Sequence, residues 1–255
     1  MVVPSVFDRR SVGRLHREIS ALFATEIPPV RVEGRSAESY TDFRHCTLNR
    51  SPAAQSAVGH PRILEVIEPL LGEDAHVIAN TSWRNAAHDP RAVNGGAWHC
   101  DAGPHLPRPA GVPWDERIPY PIFAIGVHIL LEDCPRECGP TGVLPGSHRS
   151  GQPPPRHRAS ELGLLYDGRS PVPLTGRAGD VAMFVSDSWH RRLPPVPEGD
   201  TGRFFLQVHY GRRDLAQRLE LTSAVNHLSD EAIARASTPR ERSVIGLHDP
   251  GFYDA

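Results

Sequence analysis

Apolar positions recur at helical spacing in two early stretches. In residues 11–24, Val12, Leu15, Ile19, Leu22 and Phe23 fall on one side of a helix, with Ser11 placed to cap it. In residues 61–71, Ile63, Leu64, Ile67, Leu70 and Leu71 repeat the pattern, Pro61 suits the first turn and Gly72 the C-terminal end. The polar stretch between them, running to about residue 50 and containing Tyr40 and Phe43, has no readable period. Beyond Leu71 the period shortens. Residues 75–83, 97–101, 172–174, 181–185 and 203–210 read as strands, and the unbroken apolar run 122–131 as a central one. Residues 104–121 and 152–158 hold too many prolines for regular structure and read as loops, the longer one as a lid. Residues 134–142 read as a turn, and 215–236 as mixed and helical in part.

Two helices followed by many short strands predict a mainly β fold: a double-stranded β-helix (jelly roll, cupin-like) with flanking helices. The chain reads as one domain, 1–255, with N-terminal helices over about 11–72, a jelly-roll core over about 75–213 and a C-terminal segment 214–255. At 255 residues and 39% hydrophobic it can bury a sizeable core. No apolar run approaches the roughly 18 residues of a spanning helix, and the first ten residues lack the apolar stretch of a signal peptide. The expectation is a cytoplasmic protein with no membrane partner. A net charge of −2 argues against a dominant basic face, so no nucleic-acid partner is expected. Of the four cysteines, Cys134 and Cys138 are close in sequence but lack the second pair of a zinc cluster; reduced, incidental thiols are expected.

The candidate chemistry lies in Trp98-His99-Cys100-Asp101. In an extended strand His99 and Asp101 project to the same side and Cys100 to the other. His190 follows at the end of the strand-like run 179–185, and Arg203 after it. Two imidazoles and one carboxylate with open positions are the donor set of non-heme Fe(II) oxygenases. Gly95-Gly96 suggests a flexible approach to the first pair, and an arginine beyond the last histidine can hold a co-substrate carboxylate.

These pieces, in this order, resemble the phytanoyl-CoA dioxygenase-like (PhyH) family of Fe(II)/2-oxoglutarate oxygenases. Trp98-His99-Cys100-Asp101 is similar to the family's W-H-x-D. Cys138-Gly139-Pro140-Thr141 with Leu144-Pro145-Gly146-Ser147-His148-Arg149 is similar to its N-G-P-T and P-G-S-H-R segments. Gly179-Asp180-Val181 with Phe184 and His190 is similar to its G-D-V-x-x-F…H segment. The resemblance implies that His99, Asp101 and His190 bind Fe(II), that Arg203 and Thr141 bind 2-oxoglutarate, and that O2 is the oxidant. It places His148 in a structural loop rather than on the metal. Cys138 stands where the family often has Asn, and Gly96 where some members place a co-substrate-contacting Gln. Asp101 argues against chlorination, since halogenating relatives carry a small residue there.

The function this implies is oxidation of an unactivated C–H bond, by hydroxylation or oxidative cyclisation, with release of succinate and CO2. The polar, charged lid points to a small polar metabolite, such as a sugar-containing natural product, as in antibiotic tailoring. Trp83, Trp98, His128 and Phe205 are candidates for the substrate wall. Two alternatives share the same triad: a zinc-dependent hydrolase and a non-catalytic metal-binding jelly roll.

Overall fold

The computed structural model describes residues 1–24, 42–101, 103–215 and 228–248. Among them nine strands form two antiparallel sheets: β1 (Val2–Val3), β2 (Phe43–His45), β3 (His76–Asn85), β4 (Ala124–Leu130), β5 (Thr141–Val143), β6 (Val172–Pro173), β7 (Val181–Val185), β8 (His190–Arg192) and β9 (Arg203–Gly211). The larger sheet runs β1-β7-β4-β9-β3-β2 and the smaller β6-β5-β8. This is the expected jelly roll. The apolar run that predicts a central strand becomes β4, paired on both sides and buried along its whole length.

Strand alternation divides β9 between two environments. Phe204, Leu206, Val208 and Tyr210 pack against the N-terminal helices, together with Ile125, Val127 and Ile129 of β4. Arg203, Phe205 and Gln207 face the other way, into a cavity bordered by the small sheet. Each large apolar side chain fully buried in this way contributes about 1.5–3 kcal/mol.

The helical expectations need small corrections. The first helix, α1 (Arg9–Ala24), starts two residues earlier than its apolar period, and Asp8 rather than Ser11 caps it: the Ser11 N–H donates to Asp8 Oδ1 at 2.7 Å. The short helix α2 (Thr47–Arg50) occupies the end of the polar stretch that had no readable period, and α3 (Pro52–Val58) follows it in a segment for which no element was expected. The next helix, α4 (Pro61–Leu71), has the expected bounds, but Leu70 is 48% exposed, because it lies at the edge of the apolar stripe in the last turn. Tyr40 lies outside the described residues, as does most of the mixed C-terminal stretch; near its end the helix Asp230–Arg235 is described. Residues 103–123 hold neither helix nor strand, as the proline content requires. Among the described residues no helix is long and apolar enough to cross a membrane. The cysteines are free thiols, with Cys134 and Cys138 buried.

Candidate metal centre

The expected strand over residues 97–101 reduces to one bridge. The His99 N–H donates to the His190 carbonyl and the His190 N–H to the His99 carbonyl, both at 3.0 Å. This lays His99 beside the first residue of β8. Gly95 and Gly96 make the approach through contact rather than flexibility. Gly95 has φ +66°, and a Cβ there would sit on the Arg192 carbonyl oxygen.

The result brings His99, Asp101 and His190 together, with one ligand atom of each within 4.8 Å of the others. His190 Nε2 lies 3.2 Å from Asp101 Oδ2, and His99 Nε2 lies 3.6 Å from Asp101 Oδ1. Both imidazoles are oriented from behind: His99 Nδ1 is 2.8 Å from the Ala97 carbonyl and His190 Nδ1 is 2.9 Å from the Ser188 carbonyl. A carbonyl only accepts, so each Nδ1 carries a proton and each Nε2 is the atom turned forward, its lone pair available to a metal in place of a proton. Two lone pairs and a carboxylate then converge on one point, an arrangement that a divalent cation satisfies. The centre is sheltered on the His190 side and open on the other, since the His99 side chain is 51% exposed against 5% for His190.

Charge at the centre is poised for a cation. Burial pushes the Asp101 carboxyl up, but the charges of His190 and His209 and the hydrogen bonds from His190 and His99 outweigh it and hold the group well below the usual carboxylate range. Burial pulls His99 down, yet Asp101 leaves it above an ordinary histidine.

Behind the triad lies a cavity of about 630 Å³ that takes in His99, His190, Thr141 and Arg203. Arg203 is buried, and its Nε donates to Asn85 Oδ1 at 2.7 Å. Burial, and then the neighbouring charge of Arg192, lowers its pKa to about 9. Thr141 lies on β5, not in the turn expected for it, and pairs with Arg192 of β8. Three of the four expected wall residues, Trp83, His128 and Phe205, line the cavity. Trp98 does not. It precedes His99 and so projects to the opposite side, packing with Leu144, Leu164 and Trp189 while its indole N–H donates to the Glu161 carbonyl at 2.8 Å. His148 lies away from the triad, edge-on to Tyr120 at 5.4 Å.

Several neighbours of the centre had no role assigned from the sequence. His209 Nε2 is 3.5 Å from Asp101 Oδ2 and 3.0 Å from Gln207 Nε2, and Gln207 Oε1 accepts from the Trp83 indole at 2.7 Å. The available signal was the alternation of β9, which puts Gln207 and His209 on the face of Arg203. Phe184 rests against His190, ring centroids 4.6 Å apart. Asp187 accepts from both the backbone N–H and the ring of His105, at 3.0 and 2.5 Å, and so fastens the long loop to the turn before His190.

Fold and donor set together define the Fe(II)/2-oxoglutarate-dependent class of enzymes. The chain belongs to the phytanoyl-CoA dioxygenase (PhyH) family, which matches residues 1–192, a span that includes the triad and ends before Arg203. No curated protein sequence matches the chain. Among solved structures it is similar to HygX from Streptomyces hygroscopicus with nickel and 2-oxoglutarate bound, at 19% identity over 85% of this chain and 83% of that one, with a TM-score of 0.60. HygX has also been solved with hygromycin B bound, at 17% identity over 85% and 84%, TM-score 0.61. The chain is likewise similar to the epimerase SnoN in complex with Fe3+, alpha ketoglutarate and nogalamycin RO, at 21% identity over 90% and 85%, TM-score 0.64. These likenesses establish the shared fold.

Proposed function

We propose that this chain oxidises an unactivated C–H bond of a sugar-bearing natural product, by hydroxylation or oxidative cyclisation, with His99, Asp101 and His190 as the iron ligands. The observation that carries the reading is the convergence of both Nε2 atoms on the Asp101 carboxylate, with each Nδ1 committed to a backbone carbonyl. Iron held by these residues, with 2-oxoglutarate and O2, would supply the oxidising power, with succinate and CO2 as co-products. The chain's own residues bind, orient and exclude water. Three protein donors leave room for a chelating keto acid and O2. Arg203, its guanidinium braced by Asn85, offers a planar fork to the far carboxylate, and Thr141 a hydroxyl. Trp83, Phe205 and His128 form a wall, and burial, with the charge of Arg203, keeps His128 neutral.

A polar substrate is supported by the cavity's charged lining, where Arg91 pairs with Asp42 at 3.0 Å and with Asp89 at 2.8 Å. The volume is in the range of small-molecule sites. HygX has been solved with hygromycin B bound and SnoN with nogalamycin RO bound, which supports a natural-product substrate. The test is O2-dependent succinate release from the iron-loaded enzyme with a panel of glycosylated natural products. One or more should accelerate succinate formation and gain oxygen or lose hydrogen by mass spectrometry. Succinate formation that no glycosylated compound stimulates, while lipid or acyl substrates do, would overturn the substrate class.

A further inference from the structure

Two arginines stand side by side on β8 and meet opposite fates. Arg191 is fully buried over the Trp98 ring and places its guanidinium on backbone carbonyls, those of Glu161, Asn94 and Arg192. Arg192 faces inward, lines the same cavity as Arg203, and has its Nε and Nη2 wholly buried with no hydrogen-bond partner. The acids whose charges reach it, Asp200, Asp89 and Asp42, form no ion pair with it. A buried guanidinium with unmade hydrogen bonds is unfavourable unless an anion completes it.

The position of Arg192 identifies that anion. His190 and Arg192 share a face of β8, and two strand residues advance about 6.6 Å. An extended five-carbon diacid chelated at the level of His190 puts its far carboxylate about one such step away. The register agrees: Val143 pairs with His190, and Thr141, whose hydroxyl has the cavity in reach, pairs with Arg192 one step further from the metal ligands. Arg203 borders the same space from the opposite sheet.

We infer that Arg192 is a second guanidinium for the distal carboxylate of 2-oxoglutarate, gripping it together with Arg203 and making this site selective for a dicarboxylic keto acid. This rests on the function proposed above and adds a specificity-determining residue to it. Arg192 serves the co-substrate, not the substrate.

The test is calorimetric titration of nickel-loaded protein with 2-oxoglutarate and, separately, with oxalate, which chelates the metal and has no distal carboxylate. Arg192→Met should weaken 2-oxoglutarate about tenfold to a hundredfold, as expected for loss of a charge-assisted hydrogen bond, and leave oxalate affinity and nickel content unchanged. Arg192→Lys, a gentler change that keeps the charge but loses the fork, should weaken 2-oxoglutarate several-fold with oxalate again unaffected, so the question stands even if the methionine variant fails to fold. Unchanged 2-oxoglutarate affinity, as expected if Arg192 meets the substrate instead, overturns the inference. So does an equal loss for both ligands. If the unaltered protein binds neither ligand, the iron and 2-oxoglutarate reading itself fails, an outcome distinct from a variant that merely matches the unaltered protein.

Discussion

Arg203 and Asn85 are directly paired across β9 and β3, and the bond between them, 2.7 Å from Nε to Oδ1, engages only one of the guanidinium's nitrogens on a side chain that lines the cavity. Asn85 therefore positions Arg203 without neutralising it. Asn85→Ala leaves a buried donor unmade and should destabilise the protein by about 1–3 kcal/mol in a denaturant titration. Asn85→Asp should retain stability yet weaken 2-oxoglutarate, because the new carboxylate competes for the same cation. Arg203→Ala should weaken 2-oxoglutarate far more than metal. A neutral Asn85→Ala, or Arg203→Ala with unchanged 2-oxoglutarate saturation, contradicts this arrangement.

Gly126 makes room for the ring that supports His190. A Cβ at Gly126 would come within 2.8 Å of the Phe184 ring, which packs on the His190 imidazole. Gly126→Ala should therefore cost about 1–3 kcal/mol through overpacking and lower metal affinity by shifting His190. Adding Phe184→Leu should restore much of the stability. Thermal melts and metal titrations of the single and double variants check both halves.

Much of this architecture can be read from the chain. Period 3.6 locates α1 and α4, and the apolar run of β4 announces a strand buried on both faces. The triad is legible because H-x-D places two donors on one side. What escapes is what depends on neighbours distant in sequence. Trp98 and Trp83 look equally suited to a cavity wall, and only the facing of each segment separates them. Arg191 and Arg192 are likewise indistinguishable until β8 pairs with β5. Asn85 and Arg203 are 118 positions apart, and no local pattern links them.

Asp187 holds the 104–121 loop by both carboxylate oxygens, on the His105 ring and backbone N–H. Asp187→Ala should free that loop. Limited proteolysis should then cut within residues 104–121 faster than in the unaltered protein, with the rest of the chain equally resistant. Cleavage at an unchanged rate contradicts the latch.

His76 and His248 share one hydrogen bond, 2.6 Å between ring nitrogens, while His76 Nε2 donates to the Leu215 carbonyl. Burial, chiefly, lowers both from the ordinary histidine value. Histidines held neutral in the fold take up protons more readily when it unfolds, so below about pH 6.5 the unfolded chain binds more protons and stability falls with pH. The metal-free protein should show a Tm that declines as pH drops through that range, with a shallower decline for His76→Asn. Identical profiles for the two proteins contradict the assignment.

The account depends most on a single ferrous ion gathered by His99, Asp101 and His190 with 2-oxoglutarate beside it. Anaerobic addition of Fe(II) and 2-oxoglutarate, followed by visible absorption, tests this directly. The unaltered protein should develop a weak charge-transfer band that saturates at one iron per chain, and His190→Ala should not develop it. Absence of the band in the unaltered protein, or an undiminished band in His190→Ala, would contradict the proposed centre.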